Sequence, residues 1–237
     1  MADRPLSDRI ALVTGAGRGI GAATAEALAA RGAHVVLTAR SADELEAIED
    51  AIFAAGGSAT IAPLDLTETD SIARLATAIG ERWGRLDVLV LNAARLGTLA
   101  AVPAIDQREL AQVLTLNVSA QAALIAAFDQ LLRKAEAGRV IGLTSTVARA
   151  PRAFWGMYGA SKAAFETLLA AYGDEVENIS KIRVAIVNPG ATRTKMRARA
   201  YPGEDPASVK PPEVVGERIA QLLVEDFPTN MFERVEG

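Results

Sequence analysis

One stretch near the N-terminus indicates the architecture of the whole chain, and it runs Ile10-Ala11-Leu12-Val13-Thr14-Gly15-Ala16-Gly17-Arg18-Gly19-Ile20-Gly21. The apolar residues 10–13 predict a short buried strand, and the turn 14–21 opens a helix that continues to Arg31. Glycines permit tight turning, and the amides at a helix N-terminus can face a pyrophosphate. A glycine pattern also serves ordinary turns, but its position directly after a first strand favours a dinucleotide site.

Strand and helix patterns alternate along the rest of the chain, without an internal linker or repeat. Further strands are predicted at 34–38, 59–64, 86–91, 139–144 and 182–187. Helices are predicted at 41–55, 67–84, 106–135, from 159 onward and from 212 to about 224. This succession predicts an α/β protein, a single domain over residues 1–237 with a Rossmann-type doubly wound parallel sheet and helices on both faces.

The composition excludes several classes of function. The 237 residues carry a net charge of −4, which argues against a nucleic-acid surface. The chain has no cysteine, so disulfides and thiolate metal sites are excluded, and no metal site is predicted. Residues 1–9 are polar and lack an apolar signal core, and no apolar run approaches membrane-spanning length. We therefore expect a soluble cytoplasmic protein with no membrane or nucleic-acid partner.

A second informative stretch follows the predicted strand 139–144. Ser145 would lie at the carboxyl end of that strand, where open α/β sheets bind their ligands. Tyr158 and Lys162 are four residues apart and share one helix face. The positive charge favours the phenolate and lowers the cost of giving a proton to a carbonyl, and a hydroxyl can hold that carbonyl oxygen. Tyr-x-x-x-Lys also occurs by chance in helices, so it needs support from the rest of the chain.

The end of the second predicted strand indicates which dinucleotide is bound. An NAD site usually has an Asp or Glu there to bond the ribose hydroxyls, but here Ala39 is followed by Arg40. A guanidinium beside a small residue suits a 2′-phosphate, and Arg18 adds a second positive charge with no acid available. We therefore predict that NADP(H) is preferred over NAD(H). The alternative is that Arg40 is a solvated surface residue.

Together these motifs resemble the short-chain dehydrogenase/reductase family, in its short single-domain branch with a TGxxxGxG turn and a YxxxK helix. Ser145 lies thirteen residues before Tyr158, which is the family's catalytic spacing. The resemblance implies that Tyr158 is the general acid in reduction and that Lys162 lowers the Tyr158 pKa and binds the nicotinamide ribose. It also implies that Ser145 orients the substrate oxygen and that Asn117 positions a water that connects Lys162 to solvent.

The same resemblance extends from Ile10 to about Met196 and implies further cofactor contacts. The Asp-Leu pair at 65–66 falls where the family places an Asp against the adenine, and the Asn-Ala pair at 92–93 falls beside the ribose. The segment 189–194 matches the one that holds the nicotinamide end. The predicted cofactor-binding residues are Gly15, Gly17, Arg18, Gly19, Ile20, Gly21, Arg40, Asp65, Leu66, Asn92, Ala93, Tyr158, Lys162, Pro189, Gly190, Thr192 and Thr194.

The activity implied by the resemblance is hydride transfer between NADP(H) and a ketone or secondary alcohol, with 3-oxoacyl compounds as one candidate substrate class. Two alternatives stand beside it: a catalytically silent NADP-binding sensor or scaffold of the same fold, and a dinucleotide enzyme of another chemistry such as epimerisation. The presence of all four catalytic residues argues against the first alternative, and the glycine spacing argues against the second.

Two variable regions flank the predicted site. Residues 191–212 are polar, punctuated by proline, and resemble the family's mobile substrate lid. Phe154, Trp155 and Met157 form either an apolar pocket wall or contacts in the core or a dimer interface.

The chain also departs from the family pattern at two places. Where the family often has Asn-Asn-Ala-Gly, this chain has Leu91-Asn92-Ala93-Ala94, and the following Arg95 points either into the site or to water. Residues 227–237 differ from the family's usual ending, which puts the final strand, and the tetramer that it supports, in doubt. A homodimer through the helix 106–135 and the Tyr158 helix is implied by the resemblance.

Overall fold

A parallel sheet forms the centre of the computed structural model, which describes residues 4–68 and 70–236. Within these residues the seven strands are β1 (Ile10–Thr14), β2 (His34–Thr38), β3 (Ser58–Ile61), β4 (Val88–Leu91), β5 (Arg139–Leu143), β6 (Arg183–Asn188) and β7 (Met231–Arg234). All neighbours pair in parallel, in the order β3-β2-β1-β4-β5-β6-β7. The order reverses between β1 and β4, and doubly wound sheets bind ligands at such a point, beyond the carboxyl ends of the strands. The predicted fold class is confirmed.

The bounds 1–237 of the domain remain a prediction, because five residues of that range lie outside the described residues: Met1, Ala2, Asp3, Thr69 and Gly237.

Helices cover both faces of the sheet. They are α1 (Gly19–Ala30), α2 (Ala42–Ala54), α3 (Ser71–Trp83), α4 (Gln107–Leu114), α5 (Ala120–Arg133), α6 (Thr146–Arg149), α7 (Gly156–Glu177), α8 (Lys195–Ala200) and α9 (Pro212–Leu222). Buried side chains of α1, α2 and α9 form one core cluster, and those of α3, α5 and α7 form the other. Strand residues alternate between the clusters, with Ala11 and Val13 in the first and Leu12 in the second.

The predicted helix 106–135 is interrupted in its middle. Residues Thr115–Ser119 form a π-helical segment between α4 and α5. Asn117 lies inside this segment and is fully buried. Short π segments inside α-helices are frequent at functional sites because they redirect a side chain. Here the segment turns Asn117 towards the loop after β4 and towards α7.

The C-terminal region forms the final strand that the sequence had put in doubt. Met231–Arg234 adds to β6, with Ile186 opposite Phe232. The pairing continues past the strand, because the Val235 amide donates to the Asn188 carbonyl at 3.0 Å. The strand forms because β6 has an open edge with which it can pair. The composition of residues 227–237 alone does not indicate this pairing.

The expectation that no apolar run approaches membrane-spanning length is corrected by Gln107–Arg133. This stretch of 27 residues, with a mean hydropathy of 1.5 over its apolar window, is long and apolar enough to span a membrane by length and composition. In the fold one side of it packs on the sheet, where Leu124, Phe128 and Leu132 are fully buried. We therefore assign it to the layer of helices on that face.

Candidate active site

The glycine turn lies between β1 and α1 at the carboxyl edge of the sheet. Gly15 and Gly19 have φ values of +66° and +57°, in the left-handed region that other residues rarely adopt. A Cβ atom on Gly21 would lie 2.6 Å from Nδ2 of Asn92 and closer still to the Gly15 carbonyl oxygen. The turn therefore requires glycine, and its backbone can approach a ligand closely. This shape fits the pyrophosphate of a dinucleotide at the N-terminus of α1.

The end of β4 is tied to this turn through Thr14. Its hydroxyl accepts hydrogen bonds from the backbone amides of Asn92 and Ala93, each at 3.0 Å, and donates to the Val90 carbonyl at 3.1 Å. The Asn92 side chain donates to the carbonyls of Thr14 and Gly15 at 2.8 and 3.2 Å. Asn92 and Ala93 thus form a fixed wall beside the glycine turn, where the sequence placed them.

Ser145 and the ammonium of Lys162 both lie near the end of β5. Ser145 follows the strand by two residues, is half-buried, and is the N-cap residue of α6. The Lys162 ammonium is buried and donates a hydrogen bond to the Leu143 carbonyl at 2.7 Å. Tyr158 lies one turn before Lys162 on the same helix and is also buried. α7 begins at Gly156, three residues before the predicted helix, so Tyr158 lies within its first turn.

Asn117 links the π segment to the helix of Tyr158. Its oxygen accepts from the Arg95 amide at 2.9 Å, and its nitrogen donates to the Arg95 carbonyl at 2.9 Å and to the Ser161 hydroxyl at 3.0 Å. Ser161 in turn donates to the Tyr158 carbonyl at 2.8 Å. The Arg95 side chain donates to the Gln112 side chain at 2.9 Å in an exposed position. Of the two orientations expected for Arg95, it therefore adopts the one toward water and not the one into the site.

Burial sets the ionisation of the two reactive side chains on α7. It raises the pKa of Tyr158 well above its ordinary value. It lowers the pKa of Lys162 to about 8, partly opposed by the nearby Glu166 carboxylate. Desolvation of the phenol determines the net direction of this pKa, while the Lys162 ammonium bonds the Leu143 carbonyl. The lowering of the Tyr158 pKa by Lys162 stays a prediction.

Trp155 and the lid region pack against the apolar cluster that contains Tyr158. The ring of Trp155 lies 6.1 Å from the Tyr158 ring, edge to face, and 5.6 Å from the Tyr201 ring, between centroids. Met196 of α8 packs against the same small apolar cluster. Of the other two residues that were expected to form a pocket wall or core, Met157 is buried and Phe154 is largely exposed. Trp155 is the member of the three that lines the site.

The segment after β6 connects the lid to the glycine turn. Gly190 has a φ of +62°, and its amide donates to the Asn188 side chain at 3.0 Å. Thr192 is buried and donates to the Pro189 carbonyl at 3.0 Å. Thr194 is the N-cap residue of α8 and lies close to Gly19, where an added Cβ would meet its methyl group at 3.3 Å. The segment therefore runs from the end of β6 to the glycine turn, which it reaches at Thr194.

The two arginines predicted at the adenosine end each have a carboxylate neighbour. Arg18 binds Glu44 at 2.9 Å, and Arg40 lies 4.0 Å from Asp65. Lys195, at the start of the lid, also lies 3.8 Å from Glu44. The expectation that no acid is available is therefore wrong. Glu44 lies in the first turn of α2 and Asp65 lies in the segment after β3, so neither acid directly follows β2 in the sequence.

The other residues predicted at the adenosine end also make hydrogen bonds or packing contacts within the protein. Asp65 accepts from the amide and hydroxyl of Thr67 at 2.8 and 2.7 Å, and these bonds chiefly lower its pKa. Leu66 is buried in the second core cluster, and Ile20 packs against the first. Gly17 faces α2, where an added Cβ would lie 2.9 Å from the Cβ of Glu44. These residues shape the crevice floor as well as the core.

Sequence reasoning missed several residues of the site. Ser161, directly before Lys162, carries the link between Asn117 and Tyr158. Glu166 binds Thr144 and Arg149 close to the catalytic residues. The i+4 spacing of Glu166 from Lys162 was visible in the sequence and is the signal that could have found it. The contact of Tyr201 with Trp155 depends on how the lid folds back, which no local pattern predicts.

The site combines a glycine turn at the switch point of a doubly wound sheet with a buried Tyr and Lys beside a Ser at the next strand end. This combination defines a dinucleotide-dependent oxidoreductase site. The short chain dehydrogenase family model matches residues 9–205, and the chain belongs to this family. The family assignment made from the motifs is thereby confirmed.

The chain is similar to several proteins of this family. It is 37% identical over 210 residues to the uncharacterised oxidoreductase YciK of Escherichia coli, covering 87% of this chain and 82% of YciK. A Pseudomonas syringae protein assigned to the short chain dehydrogenases superposes with a TM-score of 0.95 at 37% identity, covering 99% and 97% of the two chains. A Shigella flexneri protein assigned to the same class and solved with NADP superposes with a TM-score of 0.94 at 34% identity, covering 99% and 100%.

Proposed function

We propose that the protein is an NADP-dependent carbonyl reductase that interconverts a ketone and a secondary alcohol. The observation that carries this proposal is the pair Tyr158 and Lys162, buried on one helix beside the strand end that bears Ser145. A bound nicotinamide supplies or accepts the hydride. The residues of the chain supply placement and the proton.

Each catalytic side chain has a separate task in this proposal. Ser145 binds the substrate oxygen and aligns it with the phenol of Tyr158. Tyr158 donates its proton to that oxygen as negative charge develops there. The raised pKa of Tyr158 keeps the phenol protonated at neutral pH, which suits the reductive direction. Lys162 places a positive charge one turn away, and Asn117 ties the π segment to Ser161 on the same helix.

The preference for NADP(H) is part of the proposal. Arg18, Arg40 and Lys195 are three cations around the adenosine end, and a 2′-phosphate carries enough charge to draw Arg18 and Lys195 away from Glu44. A neutral ribose hydroxyl would not compete with Glu44 for Arg18. The NADP bound to the Shigella flexneri relative supports this choice.

The proposed substrate has an apolar arm. Tyr158 forms an apolar cluster with Leu96 and Val147, and Trp155 and Met196 pack against this cluster. Such a lining suits an aliphatic or aromatic ketone, including the hydrocarbon portion of a 3-oxoacyl compound. Because the lid packs on Tyr158, the substrate would enter by displacing these side chains.

A cytoplasmic homodimer is the assembly that we propose. Leu114 of α4 and Leu168 of α7 are large apolar side chains that stay exposed, at 36% and 40%, on neighbouring helices. Burying them against a second copy would remove this apolar surface from water. Sedimentation of the purified protein tests this part: a monomer at micromolar concentration would contradict it.

The first experiment is cofactor oxidation across a panel of aliphatic, aromatic and 3-oxoacyl ketones. NADPH and NADH are compared at equal concentration, with Tyr158→Phe as the blank. We expect turnover with NADPH that is lost in the blank. NADPH binding without turnover of any carbonyl would instead support the catalytically silent sensor, and equal rates with both cofactors would contradict the NADP preference.

A further inference from the structure

Glu166 is a buried carboxylate of α7 that the proposed reaction does not use. It is 8% exposed, and both of its oxygens are bonded. The Thr144 hydroxyl donates to Oε1, and the Arg149 guanidinium donates to Oε2 at 2.6 Å. Burying a charged group is costly unless its partners are specific, so this arrangement requires an explanation.

The two partners of Glu166 flank Ser145. Thr144 precedes Ser145 directly, and its amide donates to the Val187 carbonyl at 2.9 Å, which holds it to the end of β6. Arg149 is the last residue of α6, the short helix that Ser145 caps. The Glu166 carboxylate therefore holds the chain on both sides of Ser145 and fixes it against α7.

Glu166 also lies one helical turn after Lys162. The charged groups that face it are Lys162 from its own helix and Arg149 from α6, while the residue directly after β5 contributes the neutral Thr144 hydroxyl. The hydrogen-bond acceptor of the Lys162 ammonium is the neutral Leu143 carbonyl. Glu166 is the carboxylate one helical turn after this buried ammonium, and it raises the Lys162 pKa against the effect of burial.

The C-terminal strand covers the outer side of this cluster. The guanidinium carbon of Arg149 lies 3.6 Å from the centroid of the Phe232 ring in β7. The Arg149 side chain is half exposed, so this ring is what confines it over Glu166. The last strand of the sheet thus supports a contact that reaches the catalytic residues.

We infer that Glu166 is a positioning residue for the reaction, which fixes the segment of Ser145 against the helix of Tyr158 and keeps the Lys162 ammonium charged. The inference rests on the proposed function and goes beyond it, since Glu166 touches neither substrate nor cofactor. Its two roles are separable: the hydrogen bond to Thr144 places Ser145, and the negative charge acts on Lys162.

The charge role is tested with Glu166→Gln, and Glu177→Gln on the same helix is the matched control because Glu177 is exposed. The amide keeps the shape and removes the charge. We expect kcat to fall by about tenfold to a hundredfold with KM little changed, because the substrate still binds but the proton donor is misplaced. In the pH profile of kcat, the decline at alkaline pH should move to lower pH by roughly one unit, because Lys162 loses its proton more readily.

The placing role is tested with Thr144→Val and Thr144→Ser. Valine removes the hydroxyl that binds Glu166 and leaves the carboxylate charge in place. We expect kcat to fall by about tenfold with the alkaline limb unmoved, and serine to restore most of the activity. This pair keeps the inference testable if Glu166→Gln folds poorly. Equal loss in both Thr144 variants would overturn the placing role.

A titration of the lysine side chains by NMR separates this inference from the proposed function. The chain has five lysines, so the signals can be assigned with Lys162→Met: Lys134, Lys162, Lys181, Lys195 and Lys210. We expect Lys162 to titrate near pH 8 in the wild type, lower in Glu166→Gln, and unchanged in Glu177→Gln. An unchanged Lys162 titration in Glu166→Gln overturns the charge role. A wild type that turns over no carbonyl overturns the proposed function, while the titration still decides whether Glu166 and Lys162 are coupled.

Discussion

The buried and exposed ends of the crevice hold their charges in different ways. At the buried end, Lys162 and Glu166 are 3% and 8% exposed, and each bonds specific neighbours. At the adenosine end, the side chains of Arg18 and Arg40 are 57% and 78% exposed, and each has one carboxylate neighbour. Charged side chains are therefore held in two different dielectric environments, one shielded from water and one open to it.

This difference determines how large the effect of a substitution will be. Coulomb interactions grow as water is excluded, so a charge at the buried end acts strongly on its neighbours. At the exposed end, water and salt screen the arginines, and each ion pair contributes little. We therefore expect changes at the buried end to alter rates by orders of magnitude and changes at the exposed end to alter affinity only several-fold.

The largest effect is expected from Tyr158→Phe. Loss of the proton donor should lower kcat by about a thousandfold, within the usual range for general acid catalysis. NADPH affinity, measured by fluorescence titration, should stay within about twofold because the packing of the ring is kept. Tyr172→Phe is the matched control: it makes the same change on the same helix, where the hydroxyl donates to Asp129 at 2.9 Å. Similar rate losses in both variants would show that Tyr158 is not the acid.

A smaller but still large effect is expected from Asn117→Ala. The substitution leaves the Arg95 amide and carbonyl without their partner and removes the bond to Ser161. The free energy of unfolding should fall by about 1–3 kcal/mol, and kcat should fall by about tenfold to a hundredfold as Tyr158 shifts. Gln112→Ala, which removes only the exposed contact to the Arg95 side chain, should have neither effect. A fully active Asn117→Ala would remove Asn117 from the mechanism.

The pH dependence tests the buried end without a mutation. The Lys162 pKa is lowered by burial to about 8, and the ammonium is the form that the mechanism needs. Because protonated Lys162 is present below its pKa, kcat/KM should be flat near neutral pH and fall about tenfold per unit above pH 8. The raised pKa of Tyr158 places loss of the phenol proton above that limb. A profile that stays flat well beyond pH 9 would contradict the lowered Lys162 pKa.

The two ends also differ in how far the sequence could predict them. Ser145, Tyr158 and Lys162 were singled out because strand ends and helix periodicity place them directly. The structure has Ser145 just after β5, as expected, and it adds the bond of Lys162 to the Leu143 carbonyl. The π segment at Asn117 could not be predicted, because it depends on bonds to the backbone of Arg95, 22 residues away in the chain. Strand β7 was missed for a similar reason, since its partner edge comes from β6.

At the exposed end, the sequence showed the positive charges but not their neighbours. Acidic residues in the first turn of a helix are explained by the helix dipole alone, so Glu44 gave no sign of a contact with Arg18. The adjacency of Glu44 to Gly17 arises only once α1 and α2 pack side by side. Local patterns therefore located the reactive groups, and the packing of distant segments set their electrostatic surroundings.

The smallest effect, and the sharpest test of the exposed end, is expected from Glu44→Gln. The change frees Arg18 and Lys195 for a 2′-phosphate, while the N-cap bond that the backbone amide of residue 44 donates to the Ser41 hydroxyl is kept. Since an exposed ion pair is worth about 0.2–1 kcal/mol, NADPH should bind roughly two- to fivefold more tightly, and NADH affinity should not change. Glu46→Gln, on the exposed side of the same helix, is the control. Raising the salt concentration should shrink the gain, because screening weakens both the pair and its replacement. An equal gain in NADH affinity would mean that Glu44 acts on the shape of the glycine turn and not on the 2′-phosphate. A substitution at the exposed adenosine end would then act through packing, as we expect for substitutions at the buried end.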